Sequence, residues 1–515
     1  MASPLAAAPP ADIENYVTST LTNFGVPGAA VAIVEPGGSA ALGFGVRKLA
    51  GTMRVDEHTL FPIGSNTKAF TVAGLAILID RGKLSWDDRI EDVLPGFKLY
   101  DAYASRELTV RDLLTHRSGL GKGQGDLLIF PETSYSRKEI VDRLRFLPPK
   151  TSFRSVFAYD NVLYIAAGVL LERVSGQRWE DFTRKEIFEP LGMRDATPSF
   201  GEIRTGNRAW PHARTSGLVR GLGPVGALPS VPNIDNEAPA GSINASATDM
   251  TKWMSVQLRH GEIIPDGKRL FSETRAREMW APQVIVPTPP GEPELATSRP
   301  NLEAYGLGWT ISDYRGHKIV THGGGVYGGI SMVVMIPDLG VGITVLTNAE
   351  EHYAVKAIAY HLLDHYLGAS PVDWAAAGKI VRDRQLGLAE MAVRAAVKPD
   401  ENVTPPLPLQ TYAGVYRDAW YGTITVTRAA NGLAMSFDRS TGMAGQLIHV
   451  DHDTFRTHWG DPAIENAYVT FAVGSDRRVK SARMKPVSPI ADFSFDFSDL
   501  LLLPVSLSES ARQSP

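Results

Sequence analysis

Between residues 65 and 81 apolar side chains return every third or fourth position: Val72, Leu75, Ala76 and Ile79 share one stripe, and Gly82 follows as a stop. That spacing predicts a helix. A different rhythm precedes it. Val31-Ala32-Ile33-Val34, the turn residues Pro36-Gly37-Gly38 and the run AALGFGV predict strand, turn, strand. The GFG in this hairpin has the look of a nucleotide loop, but no parallel βαβ pattern follows, so it reads as a glycine-tolerant strand end. Helical segments continue at 109–120, about 161–175, 179–189 and 246–260. Strands return at 305–312, 318–324, 331–338 and 341–348, and a helix over about 350–367 closes this part. Strands first, helices next and an antiparallel meander last predict an α+β fold, with the first hairpin joining the late strands in one sheet.

The region 281–300 is proline-rich and lacks periodicity, as expected of a lid or a mobile loop. A second proline-rich stretch, VTPPLPL at 403–409, reads as a linker. Beyond it the pattern changes to period two in GTITVTR, AYVTFAV and RVKSARMKP, which predicts a small all-β sandwich or barrel. The expected division is 1–390, a linker over 391–410, and a β-domain over 411–515 that folds separately and takes no part in the bond-breaking step, with covering of the cleft or assembly as its alternative roles.

Composition narrows the field. A chain of 515 residues is too long for one ordinary core. Its 43% hydrophobic and 21% charged content is that of a soluble globular protein. A net charge of −4 without a basic run gives no reason to expect nucleic acid or an acidic membrane as partner. No apolar stretch approaches the ~18–20 residues of a membrane span. The absence of cysteine excludes disulfides, thiolate metal sites and cysteine nucleophiles. The start, MASPLAAAPPAD, has neither a basic nor an apolar leader region. It is read as the mature end of a periplasmic or secreted chain, with the cytoplasm as the alternative.

Three short motifs carry candidate chemistry. Ser65-Asn66-Thr67-Lys68 places a serine and a lysine three apart, hence on one helical face, at the positive end of a largely apolar helix. A serine there is equally a helix N-cap. Burial lowers a lysine's pKa, and moving it from about 10.4 to near 7 takes roughly 4–5 kcal/mol, within the range burial supplies. A neutral amine is then a usable base for the hydroxyl. Tyr159-Asp160-Asn161 precedes the helix VLYIAAGVLLERVSG. It is either a loop tyrosine with an Asx cap, or a phenol that relays a proton beside an amide that holds lysine and substrate. Thr321-His322-Gly323-Gly324-Gly325 lies on a predicted strand. Glycines in an edge strand mark a β-bulge or the close approach of another backbone or ligand. A free N–H there and that of Ser65 would complete an oxyanion hole. His361 and His365, spaced i, i+4, have zinc-ligand spacing without the metalloprotease glutamate or a third ligand, and read as a solvated face. His116 reads as a structural hydrogen-bonding histidine.

In this order the three motifs resemble those of the penicillin-recognising serine hydrolases: class C β-lactamases, DD-carboxypeptidases, D-aminopeptidases and related esterases. LLTHRSGL (113–120), PAGSINASATDMTKWM (239–254) and PDLGVGITVLTN (337–348) are similar to framework segments of that family, so the likeness spans roughly 12–370. It implies an antiparallel sheet with helices on both sides plus a helical subdomain, and no cofactor or metal. It further implies Ser65 as the acylated nucleophile, Lys68 as general base, and Tyr159 as proton relay and activator of the deacylating water. Asn161 would orient Lys68 and the scissile amide. His322 and the backbone of Gly323, Gly324 and Gly325 would line the opposite wall, with Gly325 in the oxyanion hole.

The tail resembles the lipocalin-like domain appended to some family peptidases. With the 94 residues from Ser65 to Tyr159, that layout is similar to the bacterial peptidases of linearised microcystin. One departure matters: most β-lactamases and DD-peptidases have lysine where this chain has His322. A histidine near ~6.5 is partly charged at neutral pH, which disfavours β-lactams and favours a peptidase, amidase or esterase acting on short linear peptides, including those with D- or unusual residues. The alternatives are a β-lactamase or carboxylesterase, and a catalytically inactive scaffold that binds peptide or cell-wall fragments. The expected partner is a small peptide or ester substrate; oligomeric state is left open.

Overall fold

The structure, a computed structural model, describes residues 9–505 except 232, 266, 289, 397–403 and 431. The first eight residues and the start of the VTPPLPL linker therefore lie outside the described residues. Alternation in the first strand organises the larger unit. In β1 (Gly28–Glu35), Ala29, Val31 and Ile33 point into one core while Ala30, Ala32 and Val34 point into another. Both faces are covered, which is why this strand is an unbroken apolar run rather than a half-polar one.

Around it stand β2 (Gly38–Gly45), β3 (Val284–Ile285), β4 (Glu303–Tyr305), β5 (Thr310–Tyr314), β6 (His317–Val326), β7 (Gly329–Ile336) and β8 (Val341–Thr347). They form one sheet in the order β2-β1-β8-β7-β6-β5-β4-β3, antiparallel throughout. The first hairpin joins the late strands as the pattern predicts, with Val31 opposite Val345. One face packs on α1 (Ile13–Phe24) and the helix His352–Tyr366. The other carries α4 (Ala247–Leu258) and the turn that leads into α2 (Thr67–Asp80), with α3 (Val162–Ser175) and the smaller helices of the middle region layered beyond, α3 against α2.

Local chemistry moves several boundaries. The expected 305–312 strand is two strands, because Gly306-Leu307-Gly308 turn between them: the Gly306 N–H donates to Trp309 O at 2.7 Å and Gly308 takes φ +77°. The expected 109–120 helix is one turn, Val110–Leu113, closed by a Thr109/Asp112 capping box. Beyond it Asp112 accepts from Arg117 and Arg154, and His116 sits at φ +55°, so the chain cannot continue as a helix. The 281–300 loop is fastened by Arg384, which reaches Glu292 and Glu294, and none of its described residues lines the cleft described below.

The tail forms eight strands from Gly414 to Pro504, neighbours in sequence pairing antiparallel. The last, Leu503–Pro504, returns to pair with the first, Gly414–Asp418, and Leu502 bridges Ala482 near the other end of the order. The result is a nearly closed barrel filled by the inward set Ile424, Val426, Leu433, Met435, Phe455, Val469 and Phe471.

Candidate active site

Ser65 sits in a 3-10 turn, Gly64–Asn66, that runs into α2. It is not a cap: the capping position of α2 is Asn66, and neither turn nor helix receives a side-chain cap bond. The turn lies against β6. Gly64 takes φ +52°, and a Cβ there would meet Gly325 N at 2.8 Å. A Cβ on Gly324 would meet Ile63 O at 2.0 Å. Glycine at both positions is what lets the strand lie beside the serine. β6 pairs with β7 along the glycine run but with β5 only over His317–Thr321. From His322 to Val326 its other side is an open edge.

Lys68, fully buried on the first turn of α2, brings the motifs together. Its Nζ lies 3.0 Å from Ser65 Oγ and donates to Asn161 Oδ1 at 2.7 Å and Ala240 O at 3.1 Å. Burial pushes this amine down to about 8, opposed by Glu237, Asp126 and Asp160. The Tyr159 hydroxyl faces the Ser65 side chain, and its ring lies 4.9 Å from Lys68 Nζ. Burial raises the phenol well above the ordinary tyrosine range, so it is a neutral hydroxyl.

His322 requires a correction. It is buried, with Nδ1 at 2.6 Å from Gly323 O and Nε2 at 3.0 Å from the Tyr305 hydroxyl. Burial and then Lys68 push it down to about 3. It is uncharged at neutral pH, not partly charged, because the aromatic wall removes the water on which the sequence-based value depends. His116 is structural as expected: its Nδ1 accepts from the Asp160 N–H at 3.2 Å, and its ring lies against Tyr159. His361 stacks on Tyr16 and faces Asp12 at 3.2 Å, and no metal-holding group of three ligands is found among the described residues.

The sequence reading missed a second layer. Asp126 is buried behind Asn161 and accepts from its Nδ2 at 2.8 Å; burial raises its carboxyl to about 7. Glu237 is buried beside Lys68, is raised by burial to about 8, and has Oε2 without a hydrogen-bond partner. The barrel also reaches the site. Asp492, Phe493, Ser494 and Phe495, from its last loop, line the cleft beside Ser65. Phe493 packs on the Tyr159 ring at 5.9 Å and Ser494 Oγ donates to Asp126 at 2.9 Å. The cleft measures about 390 Å³, and Phe130, Phe157, Tyr305 and Tyr327 join Phe493 and Phe495 among its apolar lining, beside the charged Glu237, Glu350 and Asp492. Its Arg220 is paired with Glu350 at 2.7 Å.

Residues 13–366 match the beta-lactamase family, and 398–503 match a domain family of unknown function, DUF3471. The chain is 29% identical over 436 residues to an unguisins hydrolase of Aspergillus campestris, covering 81% of this chain and 77% of that one. It is 29% identical over 335 residues to penicillin-binding protein 4 of Amycolatopsis lactamdurans, covering 64% and 82%. Among solved structures, the octameric penicillin-binding protein homologue of Pyrococcus abyssi has the same fold at 20% identity, with a TM-score of 0.59 over 96% of this chain and 99% of that one. The D-amino acid amidase of Ochrobactrum anthropi is similar over 69% of this chain and 97% of its own, with TM-score 0.57 and 23% identity. With the sheet, the helical layer and the barrel as described, the chain belongs to the beta-lactamase family of penicillin-recognising serine hydrolases.

Proposed function

We infer that this protein is an amide or ester hydrolase that works through an acyl-enzyme on Ser65 and prefers short, linear, peptide-like substrates to β-lactams. One observation carries the reading. A neutral lysine amine has two N–H donors and one lone pair, and Nζ of Lys68 has two acceptors, Asn161 Oδ1 and Ala240 O, with Ser65 Oγ as third neighbour. The two donors are taken up, so the lone pair is left for the serine proton.

In acylation Ser65 Oγ attacks the carbonyl carbon while its proton passes to Lys68 Nζ. As the C–N or C–O bond breaks, the leaving atom takes a proton from the Tyr159 hydroxyl, which is refilled from Lys68. In deacylation water gives its proton along the same path in reverse, its oxygen joins the acyl carbon, and Ser65 Oγ leaves with a proton. Tyr159 serves as a neutral relay rather than as a phenolate base, since burial holds it protonated. Asn161 keeps Lys68 in place. The N–H groups of Ser65 and Gly325 are the oxyanion donors in this scheme.

The substrate preference follows from the wall. A neutral, buried His322 offers no charge to a carboxylate beside the scissile bond, and Arg220 is already paired. The open edge of β6 and the aromatic cleft suit an extended chain with apolar side groups. The similarity to an unguisins hydrolase and the shared fold of a D-amino acid amidase agree with amide chemistry. Intact mass after a fluorophosphonate should show one adduct that is absent in Ser65→Ala. Turnover of a hydrophobic peptide amide should exceed that of nitrocefin. An unlabelled wild type, or full activity in Ser65→Ala, overturns the mechanism; efficient nitrocefin turnover overturns the preference.

A further inference from the structure

The geometry points to Ser494, on the last loop of the C-terminal barrel, as a positioning residue for the hydrolase reaction, acting through Asp126 and Asn161 on Lys68. This rests on the acyl-enzyme reading above. Asp126 has no direct contact with Ser65, yet it decides how Asn161 is presented. Its Oδ2 accepts from Asn161 Nδ2 at 2.8 Å and from Ser494 Oγ at 2.9 Å, and its Oδ1 has no partner. An ionised carboxylate is acceptor-only, so it holds the NH2 end of the amide toward itself and the oxygen end toward Lys68, 2.7 Å away. The Ser494 hydroxyl is the second hydrogen bond on that oxygen, and it favours the ionised form of a carboxyl that burial raises to about 7.

The loop is built to deliver that hydroxyl. Asp496 accepts from the backbone N–H groups of Gly125 at 2.8 Å and Leu127 at 3.3 Å, on either side of Asp126. Phe493 closes over Gly123, where a Cβ would meet its ring at 2.6 Å, and Lys122 Nζ lies 4.7 Å from that ring. The barrel therefore grips the Asp126 turn at three successive points. Its sequence partner is more than 360 residues away, so no local pattern announces it.

The charged groups around Asp126 are Lys68, which favours its ionised form, and Asp160, Glu237 and Asp496, which oppose it. Losing Ser494 shifts Asp126 toward its protonated form. Lys68 then loses a negative neighbour, and the proton-dependent limb of the rate moves to lower pH. The plateau falls as well, because Asp126 loses one of the two bonds that fix its Oδ2 beside Asn161. A role in packing alone changes KM or the plateau and leaves the limb where it is.

The test is the rate of fluorophosphonate inactivation of the full-length protein from pH 6 to 10, for wild type, Ser494→Ala and Ser494→Thr, and for Ser494→Ala in an Asp126→Asn background. Ser494→Ala should be about 10- to 100-fold slower at the plateau, the range for a lost hydrogen bond to a charged group, with its limb displaced to lower pH. Threonine should restore both. Ser494→Cys, with only a weak donor, should be intermediate and serves where alanine disturbs folding. In the Asp126→Asn background the alanine change should add nothing. A Ser494→Ala protein with wild-type plateau and limb overturns the proposal, as does an undiminished effect without Asp126. A wild type that is never labelled on Ser65 overturns the hydrolase reading itself; a labelled wild type with an indifferent Ser494 overturns only this role.

Discussion

Replacing Lys68 by arginine separates charge from basicity at the centre of the site. Burial brings the lysine down to about 8 from an ordinary 10.5. At pH 7 roughly one molecule in ten then carries a neutral amine, against about one in three thousand for an exposed lysine, so burial enlarges the base-competent population about 300-fold. The sign is plain: the working form is the deprotonated one, so the rate falls as pH drops below about 8 and levels off above it. Lys68, Glu237 and Asp126 lie close enough to titrate together, so the limb belongs to the cluster. Arginine keeps the positive charge and its hydrogen bonds but never deprotonates, which removes the base and should cost roughly 10²–10⁴ in acylation rate. The assay is the pH dependence of kcat/KM on a small p-nitrophenyl ester and of fluorophosphonate inactivation, with circular dichroism and Lys68→Met as controls for folding. A wild-type rate flat from pH 6 to 9, or an arginine variant within tenfold of wild type, refutes the reasoning.

Gly324→Ala should give a soluble protein with at least a hundredfold lower kcat, because its Cβ would fall 2.0 Å from Ile63 O and displace the Ser65 turn; an active alanine variant removes the close-approach account. Phe493→Ala should raise KM for a peptide amide with a bulky aromatic side chain several-fold and leave a small acetate ester nearly unchanged, as steady-state kinetics on both will tell. Wild-type preference for carboxylate-bearing substrates should stay constant from pH 8 to pH 5, since His322 does not charge in that range. His322→Lys should raise that preference, and a pH-dependent wild-type preference counts against the buried, neutral histidine.

Much of the fold is legible because it rests on local periodicity. The apolar runs of β1 and α2 and the alternation of the barrel strands are stated by neighbours within a few residues. What is lost is lost for equally local reasons. Leu113 to Leu120 is apolar enough for a helix, yet Asp112 is committed to Arg117 and Arg154, and His116 adopts a positive φ. Those competitors lie in loops that no window around 109–120 contains in full. The strand 305–312 breaks at glycines whose spacing also fits a strand, and only the turn bond from Gly306 to Trp309 decides the matter.

At the site the division is sharper. Ser65, Lys68, Tyr159, Asn161 and the glycine run sit in short motifs, and the structure gathers all of them around one amine. Their protonation is another matter, because it is set by what buries them. His322 has the same ring in water and in this wall, but burial against Tyr159 and Tyr305, and then Lys68, move it out of the physiological range. Asp126 and Glu237 look like ordinary acids in GQGDLL and NEAPAG; their one legible sign is a carboxylate set among apolar and small residues next to a framework segment. Ser494 lies in a stretch, DFSFDF, whose alternation reads as barrel and whose partner belongs to the other unit. A fold can thus be read domain by domain, whereas a buried ionisable centre is a property of everything that excludes water from it. Here that includes a loop of the barrel, so the two family matches, separate along the chain, meet in a single electrostatic unit around Lys68.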